Sequence, residues 1–161
     1  MSDISDTITV RQGTVSDTTD YARLLLLQRT EKDGERAMNQ RESVSIAQQY
    51  LSQGTVYVGQ VEDRTLGFTE TRRALNQLGI SNMYVEDASL RETVETEMGR
   101  YLVEYAKSED LERVYTSVHK KSDGRDRIKR IFKSLGFETY EPNELQGLLH
   151  LQFWLDEPAP K

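Results

Sequence analysis

The chain has 161 residues and no cysteine, and its 27 acidic side chains outnumber 21 basic ones for a formal net charge of −6. This acidic balance argues against a general nucleic-acid binder, which needs a basic face. The lack of cysteine excludes disulfides, thiolate zinc sites and a cysteine nucleophile.

The length suits one domain with its own core. We therefore predict a single domain over residues 1–161, with flexible ends at 1–6 and 156–161. The first ten residues, "MSDISDTITV", have neither the basic stretch nor the apolar core of a signal peptide. No apolar run approaches the ~20 residues of a membrane span. We expect a cytoplasmic protein that does not cross a membrane.

The first third of the chain predicts one strand and two helices. Thr7–Gln12 alternates in the period of a strand. The segments "SDTTDYARLLLLQ" and "ESVSIAQQYLSQG" carry apolar residues at helical spacing, and Gly54 suits the end of the second helix.

The period then changes to two, and "TVYVGQV", "TLGFTETRRA" and "GISNMYVED" predict three successive strands. A helix over Arg91–Lys107, a strand "ERVYTSV", a helix "DGRDRIKRIFKSLG" and a strand "GLLHLQFWL" complete the chain. The order β-α-α-β-β-β-α-β-α-β predicts an α/β or α+β fold. We expect about four helices on a mixed, mostly antiparallel sheet of roughly six or seven strands.

This order and the segments "ISNMYVEDASLRETVETEMGRYLVEYAKSEDLERVYTSV" and "IKRIFKSLGF" resemble the GCN5-related N-acetyltransferase (GNAT) family. The string "NMYVED" is similar to that family's fourth strand, and "IFKSLGF" is similar to its "FYEKLGF" helix ending. The resemblance covers nearly the whole chain and rests on the ordered set of segments. It implies transfer of an acetyl group from acetyl-CoA to an amine.

The resemblance implies a cofactor site where the fourth strand ends and the next helix begins. Tyr84 and Val85 would lie beside acetyl-CoA, and a main-chain N–H of this strand would polarise the thioester carbonyl. Catalysis needs a base near the strand ends, and the candidates are Glu86, Asp87 and Glu70. Each of these carboxylates is alternatively a solvated surface acid.

The family's diphosphate loop reads Arg/Gln-x-x-Gly-x-Gly/Ala, because glycines let backbone N–H groups approach phosphates at a helix start. With Arg91 in the first position, Val94 and Thr96 stand at the glycine positions. A gapless alignment from the helix gives Thr93 and Glu95 instead. Neither alignment supplies a glycine, so the loop departs from the family's pattern.

The segment "SLRE", Ser89 to Glu92, predicts a capping box. In it the Ser89 hydroxyl accepts from the Glu92 N–H, and the Glu92 carboxylate accepts from the Ser89 N–H. Glu92 and Glu95 in the first turn suit the helix dipole but repel a phosphate, by a few kcal/mol for a pair ~4 Å apart at the surface. The alternative is a well-capped helix start with no ligand.

This chain also differs from the family at the position of the proton donor. Phe132 stands where many members have the tyrosine that protonates the leaving thiolate. Tyr140 and Tyr115 are substitutes for it, or residues that only pack. His119 and His150 match no metal or triad spacing, so we predict no metal site.

The segment 120–133 carries seven cations against two acids, a local charge of +5. Arg125 matches a family asparagine that contacts the cofactor, so this segment would hold the phosphates of CoA. Alternatively it meets an acidic protein surface, including that of a second subunit in a homodimer, or is a plain solvated face. Arg72 and Arg73 likewise suit an acidic substrate or partner, or are plain surface. The cations are Lys120, Lys121, Arg125, Arg127, Lys129, Arg130 and Lys133.

Two hypotheses follow from these observations. The first is an acetyl-CoA-dependent N-acetyltransferase with an unusual cofactor loop, acting on an amine of unidentified type, with weak activity or none left. The second is a non-catalytic binding, regulatory or assembly module of the same fold. The missing glycines, the capping box and Phe132 favour the second hypothesis, and the overall resemblance favours the first.

Overall fold

The computed structural model describes residues 7–33, 39–119, 124–140 and 147–155. The predicted flexible ends, as well as Lys120 and Lys121, lie outside these residues. Within them the elements are β1 (Ile8–Gln12), α1 (Thr18–Asp33), α2 (Gln40–Ser52), β2 (Val56–Val61), β3 (Arg64–Ala74), β4 (Gln77–Val85), α3 (Arg91–Ser108), β5 (Arg113–His119), α4 (Arg125–Ser134), β6 (Glu138–Tyr140) and β7 (Leu148–Trp154).

The predicted fold class is confirmed. The seven strands form one sheet in the order β1-β2-β3-β4-β5-β7-β6. β4 and β5 pair in parallel, whereas the pairs β1–β2, β2–β3, β5–β7 and β6–β7 are antiparallel. The predicted order lacks β6, because a strand of three residues is too short for a period of two to be recognised in the sequence.

The chain forms two compact units, which are described separately. The first comprises Met1–Glu70 and Asn82–Met98, and the second comprises Thr71–Ser81 and Gly99–Lys161. The elements β3, β4 and α3 contribute residues to both units.

In the first unit the sheet has a core on each face. Because successive strand residues point to opposite faces, Tyr84 and Val85 enter different cores. Tyr84 joins the core under α1 and α2, together with Tyr21 and Phe68, whose rings pack edge to face with centroids 5.0 Å apart. Val85 joins the core under the first half of α3.

Glycine at position 59 lets α3 approach the sheet. A Cβ there would lie 3.0 Å from Val94 Cγ1 and 3.2 Å from Met98 Sδ, both fully buried side chains. This close approach fixes the first turns of α3 against the strands and so positions the β4–α3 junction.

The second unit packs the rest of α3 against α4. A Cβ at Gly99 would lie 2.8 Å from Leu135 Cδ1, so glycine allows the two helices to contact closely. Phe132 is 1% exposed and packs on Phe137 with ring centroids 4.8 Å apart. Phe132 is therefore a core residue of this unit.

Candidate active site

The β4–α3 junction, residues 85–95, presents backbone donors at a helix start. The first helical hydrogen bond runs from the Val94 N–H to the Leu90 carbonyl, at 2.9 Å. The N–H groups of the first turn precede this bond, and the first turn of a helix offers its N–H groups to acceptors outside the helix. They form the positive end of the helix dipole, which attracts an anion.

Asp87 caps the turn that leads into α3. The Ser89 N–H donates to Asp87 Oδ1 at 2.9 Å, and the Ser89 hydroxyl donates to the same oxygen at 2.6 Å. The Leu90 N–H donates to the Asp87 carbonyl at 3.1 Å. The hydrogen bonds from the Ser89 hydroxyl and then the Ser89 N–H lower the pKa of Asp87.

The predicted capping box is therefore wrong in its acceptor, because the Ser89 N–H reaches Asp87 rather than Glu92. The physical reason is local. A carboxylate two residues before an N–H closes an Asx turn, and the chain turns at Asp87 before the helix begins at Arg91.

Arg91 ties the start of α3 to the end of β4. Its Nε–H donates to the Val85 carbonyl at 3.0 Å, and its guanidinium lies 5.9 Å from the centroid of the Tyr84 ring. Arg91 thus reaches two other residues predicted to contact a cofactor, the main chain of Val85 and the ring of Tyr84.

The residues at the glycine positions of both alignments belong to the first turns of α3. Val94 is fully buried, and the Thr96 hydroxyl donates to the Glu92 carbonyl at 2.7 Å. Glu95 is only 1% exposed. Glu95, expected as a surface charge, is instead buried because its position faces inward on α3, next to Val94.

A partly buried polar cluster lies between α1 and the sheet on the opposite face of the first unit. We define it as Tyr21, Gln28, Glu70 and Asn82. The Tyr21 hydroxyl donates to Glu70 Oε2 at 2.5 Å. Asn82 also hydrogen-bonds the Glu70 carboxylate, and its amide exchanges two hydrogen bonds with Gln28 at 2.8 and 2.9 Å.

This environment raises the pKa of Glu70, because burial disfavours its charge more than the bonds from Tyr21 and Asn82 favour it. Burial also raises the pKa of Tyr21, followed by the charge of Glu70. Tyr21 therefore stays protonated and donates at every ordinary pH. The Glu70 carboxylate is thus held in place by hydrogen bonds and binds a proton more tightly than an exposed glutamate does.

Tyr84 and Glu86 are held by other partners. The Tyr84 hydroxyl donates to Glu31 Oε1 at 2.7 Å, and burial followed by this bond raises the pKa of Tyr84. Glu86 pairs with Arg23 at 2.7 Å, while Arg23 also donates to the Thr65 carbonyl at 3.0 Å. Glu86 thus has a cation as its close partner, while Glu70 is hydrogen-bonded by Tyr21 and Asn82 and feels the charge of Arg29 electrostatically.

The remaining predicted site residues lie in the second unit. Tyr140 packs on His150 with ring centroids 5.4 Å apart. The Arg113 guanidinium lies 5.5 Å from the Tyr140 ring centroid and 4.9 Å from that of Tyr115. Arg125 pairs with its neighbour Asp126 at 3.1 Å.

The sequence analysis missed Tyr21, Asn82, Arg23 and Glu31 as partners of the predicted site residues. Tyr21 and Glu70 are 49 positions apart, and no local pattern marks such a pair. Within the described residues, no group of three or more His, Cys, Asp or Glu side chains could hold a metal ion. No described helix has the length and apolar character needed to cross a bilayer.

No protein-family model and no curated protein sequence matches this chain. Solved structures do match. The Salmonella typhimurium protein yncA, solved with its cofactor acetyl-CoA, is 16% identical with a TM-score of 0.69 over 96% of this chain and 97% of that one. The ribosomal-protein-S18-alanine N-acetyltransferase of Escherichia coli is 12% identical with a TM-score of 0.66 over 94% and 96%.

The PaiA N-acetyltransferase of Thermoplasma acidophilum, solved with coenzyme A, is 10% identical with a TM-score of 0.64 over 90% of this chain and 97% of that one. Matching acetyltransferases of the GNAT family come from Bacillus cereus and Listeria monocytogenes. These likenesses extend over nearly the full length of each chain. The chain has the GNAT fold, as the resemblance predicted.

Proposed function

We propose that this protein, on its GNAT fold, transfers an acetyl group from acetyl-CoA to an amine, with Glu70 as the general base. The observation that carries the proposal is the half-buried Glu70 carboxylate, which accepts a hydrogen bond from Tyr21 and has a raised pKa. Two structural neighbours were solved with acetyl-CoA or coenzyme A, which supports the choice of cofactor.

Glu70 suits the role of base better than Glu86 does. A base works best when its pKa lies near the working pH, and burial moves the pKa of Glu70 in that direction. Glu86 is paired with Arg23 at 2.7 Å, so its carboxylate is already engaged by a cation. We therefore assign proton removal to Glu70 and a structural ion pair to Glu86.

The β4–α3 junction suits a diphosphate through its backbone. The first-turn N–H groups of α3 would bind the phosphates, and Arg91 would add a positive charge beside them. Tyr84 and Val85 at the end of β4 would line the rest of the cofactor. The junction opposes a diphosphate through the Asp87 carboxylate, which lies at the turn before α3.

Acetyl-CoA supplies the acetyl group, and its thiol is the leaving group. The Glu70 carboxylate accepts the proton of the amine nitrogen, whose freed electron pair forms the new C–N bond while the C–S bond breaks. The proton ends on sulfur, so that amide and thiol are the products. Tyr21 and Asn82 hold Glu70 throughout.

The other site predictions remain open. Tyr140 is the predicted proton donor to the thiolate, while Val94, Thr96 and Arg125 are predicted cofactor contacts. A cytoplasmic location, a homodimer and an acidic protein partner likewise remain predictions from the sequence.

The second candidate is a non-catalytic module of the same fold. Two observations favour it, namely the Asp87 carboxylate bound at the turn before α3 and the burial of Phe132, which has no proton to give. Such a module would bind a protein or another ligand without using acetyl-CoA.

The test is a thiol-release assay with acetyl-CoA and a panel of alkyl amines, diamines, amino acids and peptides with free N-termini. The proposal predicts that at least one amine releases thiol well above the rate with acetyl-CoA alone, with the N-acetyl product visible by mass spectrometry. Two negative results together would contradict the proposal and favour the non-catalytic module. These are that no amine releases thiol and that acetyl-CoA does not bind at millimolar concentration.

A further inference from the structure

Gln28 and Asn82 join their side-chain amides through two reciprocal hydrogen bonds. Gln28 Nε2 donates to Asn82 Oδ1 at 2.8 Å, and Asn82 Nδ2 donates to Gln28 Oε1 at 2.9 Å. Gln28 lies on α1 and Asn82 lies on β4, 54 positions apart, and both side chains are half-buried. The pair therefore fixes the plane of the Asn82 amide from a separate element of the fold.

The Asn82 amide has a second N–H, which serves Glu70. A side-chain amide carries two N–H donors and one oxygen acceptor. Gln28 engages the oxygen and one donor of Asn82, and Asn82 also hydrogen-bonds the Glu70 carboxylate. Because an ionised carboxylate only accepts, Asn82 must turn its nitrogen toward Glu70. An amide turned the other way would place its oxygen against that carboxylate.

The helix α1 reaches Glu70 from two positions. Tyr21 and Gln28 are seven residues apart, a spacing that puts both on the same side of a helix. Tyr21 donates directly to Glu70 Oε2, and Gln28 reaches Glu70 through Asn82. The two contacts together limit how far the carboxylate can rotate.

Titratable groups of α1 and α2 also act on this carboxylate. Burial raises the pKa of Glu70, whereas the bonds from Tyr21 and then Asn82, and last the charge of Arg29, lower it. Tyr21 and Arg29 belong to α1, and Tyr50 of α2 acts electrostatically on Tyr21. Gln28 carries no charge, so its effect on Glu70 must pass through hydrogen bonds or packing.

We propose that Gln28 is a positioning residue for Glu70, because its paired hydrogen bonds hold the Asn82 amide so that one N–H stays on the Glu70 carboxylate. The inference rests on the proposed function, in which Glu70 is the base. Gln28 acts through Asn82 and not on the amine itself. With Glu70 held in this way, the amine nitrogen meets a carboxylate of fixed orientation, and orientation of reacting groups contributes to the rate.

The substitution Gln28→Met removes the amide and keeps the length of the side chain. Methionine forms helices as well as glutamine does, so we expect α1 to fold as in wild type. Gln28→Leu repeats the loss with another good helix former, so that a folding defect in one variant leaves the test intact. The matched control is Gln49→Met, the same exchange at an exposed position of α2. Circular dichroism and urea unfolding check that each variant is folded.

The first measurement is the pKa of Glu70, followed by the ¹³C signal of its side-chain carboxyl carbon and assigned by the loss of that signal in Glu70→Gln. Without Gln28 the Asn82 amide can turn away, and a carboxylate that loses a hydrogen bond to its charged form binds a proton more tightly. We expect Gln28→Met to raise this pKa by about half a pH unit and Gln49→Met to match wild type. An unchanged pKa in both Gln28 variants would overturn the inference.

A double-mutant cycle with Asn82→Ala tests whether Gln28 acts through Asn82. We expect Gln28→Met to leave the pKa of Glu70 unchanged in the Asn82→Ala background, because the amide that Gln28 holds is already absent there. An equal rise in both backgrounds would also overturn the inference, because the lost polarity of Gln28 alone would then explain it.

Thiol release measured against pH distinguishes the inference from the proposed function. If both hold, the acidic limb of the profile moves to higher pH in Gln28→Met as the pKa of Glu70 does, and kcat falls about threefold while KM stays constant. Thiol release by wild type with an unshifted pKa in Gln28→Met overturns the inference alone. A shifted pKa in a chain that acetylates no amine and binds no acetyl-CoA supports the hold of Gln28 on Glu70 and sinks the proposed function.

Discussion

Glu70 and Asp87 are both carboxylates of the first unit, but their surroundings treat them in opposite ways. Burial in the cluster under α1 raises the pKa of Glu70. Donors from Ser89 at the β4–α3 junction lower the pKa of Asp87. One carboxylate is thereby prepared to take up a proton, and the other is held as an anion.

The comparison separates two parts of the proposed function. In the proposed mechanism the polar cluster removes a proton from an amine. The junction keeps the main-chain N–H groups of a helix start but places the Asp87 carboxylate beside them. Under the proposed function, the unusual feature of the protein lies in how it would hold the cofactor and not in the base.

Replacing Glu70 should have the largest effect on kcat. Replacing it by glutamine preserves the shape of the side chain but removes the base, so we expect kcat to fall by about 100-fold or more. Steady-state thiol release with the best amine measures this. A fall in KM alone, or a change of less than about threefold in kcat, would remove Glu70 from the mechanism.

Asp17 tests whether burial alone decides the pKa of a carboxylate. Asp17 is more deeply buried than Glu70, but Arg11 donates to both of its carboxylate oxygens at 2.8 Å and lowers its pKa. We expect Asp17→Asn to reduce the free energy of unfolding by about 2 kcal/mol at pH 7, a typical loss for a hydrogen bond to a charged group.

The sign of the pH dependence follows from the lowered pKa of Asp17. Its stabilisation is present above the pKa of the unfolded chain, about 4, and is lost as pH falls through the folded pKa. Urea unfolding at pH 7 and pH 3 measures the difference between wild type and Asp17→Asn. A difference that grows toward pH 3 would contradict the ion pair.

In the proposed mechanism Tyr21 adjusts the pKa of the proposed base, Glu70. Its hydroxyl bond lowers the pKa of Glu70, so Tyr21→Phe should raise that pKa further. Activity is lost as pH falls through the pKa of the base. The acidic limb of the pH–rate profile should therefore move to higher pH in Tyr21→Phe, with kcat near neutrality reduced about tenfold. An unmoved acidic limb would show that Glu70 is not the titrating group.

Glu86 should give the smallest effect. Glu86→Gln loses an ion pair with Arg23, whose side chain is 41% exposed, and such pairs contribute about 0.2–1 kcal/mol. We expect kcat to stay within about twofold of wild type. A loss as large as that of Glu70→Gln would reverse the assignment of the base.

Much of the fold was predictable from the sequence, because periodicity alone marks the helices and longer strands. Three features were not. The strand β6 is too short to show a period, Glu95 is a charged residue that the fold buries, and the Tyr21–Glu70 pair joins distant segments. The Ser89 turn was misassigned because Glu92 fits a capping box, although Asp87 reaches the same N–H over a shorter path.

The most direct test of the account is an NMR titration of ¹⁵N-labelled protein with acetyl-CoA. The account predicts that the amide signals of Ser89 to Val94 shift more than those of other segments as the ligand is added. Saturable shifts elsewhere, with the signals of the β4–α3 junction unchanged, would contradict the proposed cofactor site.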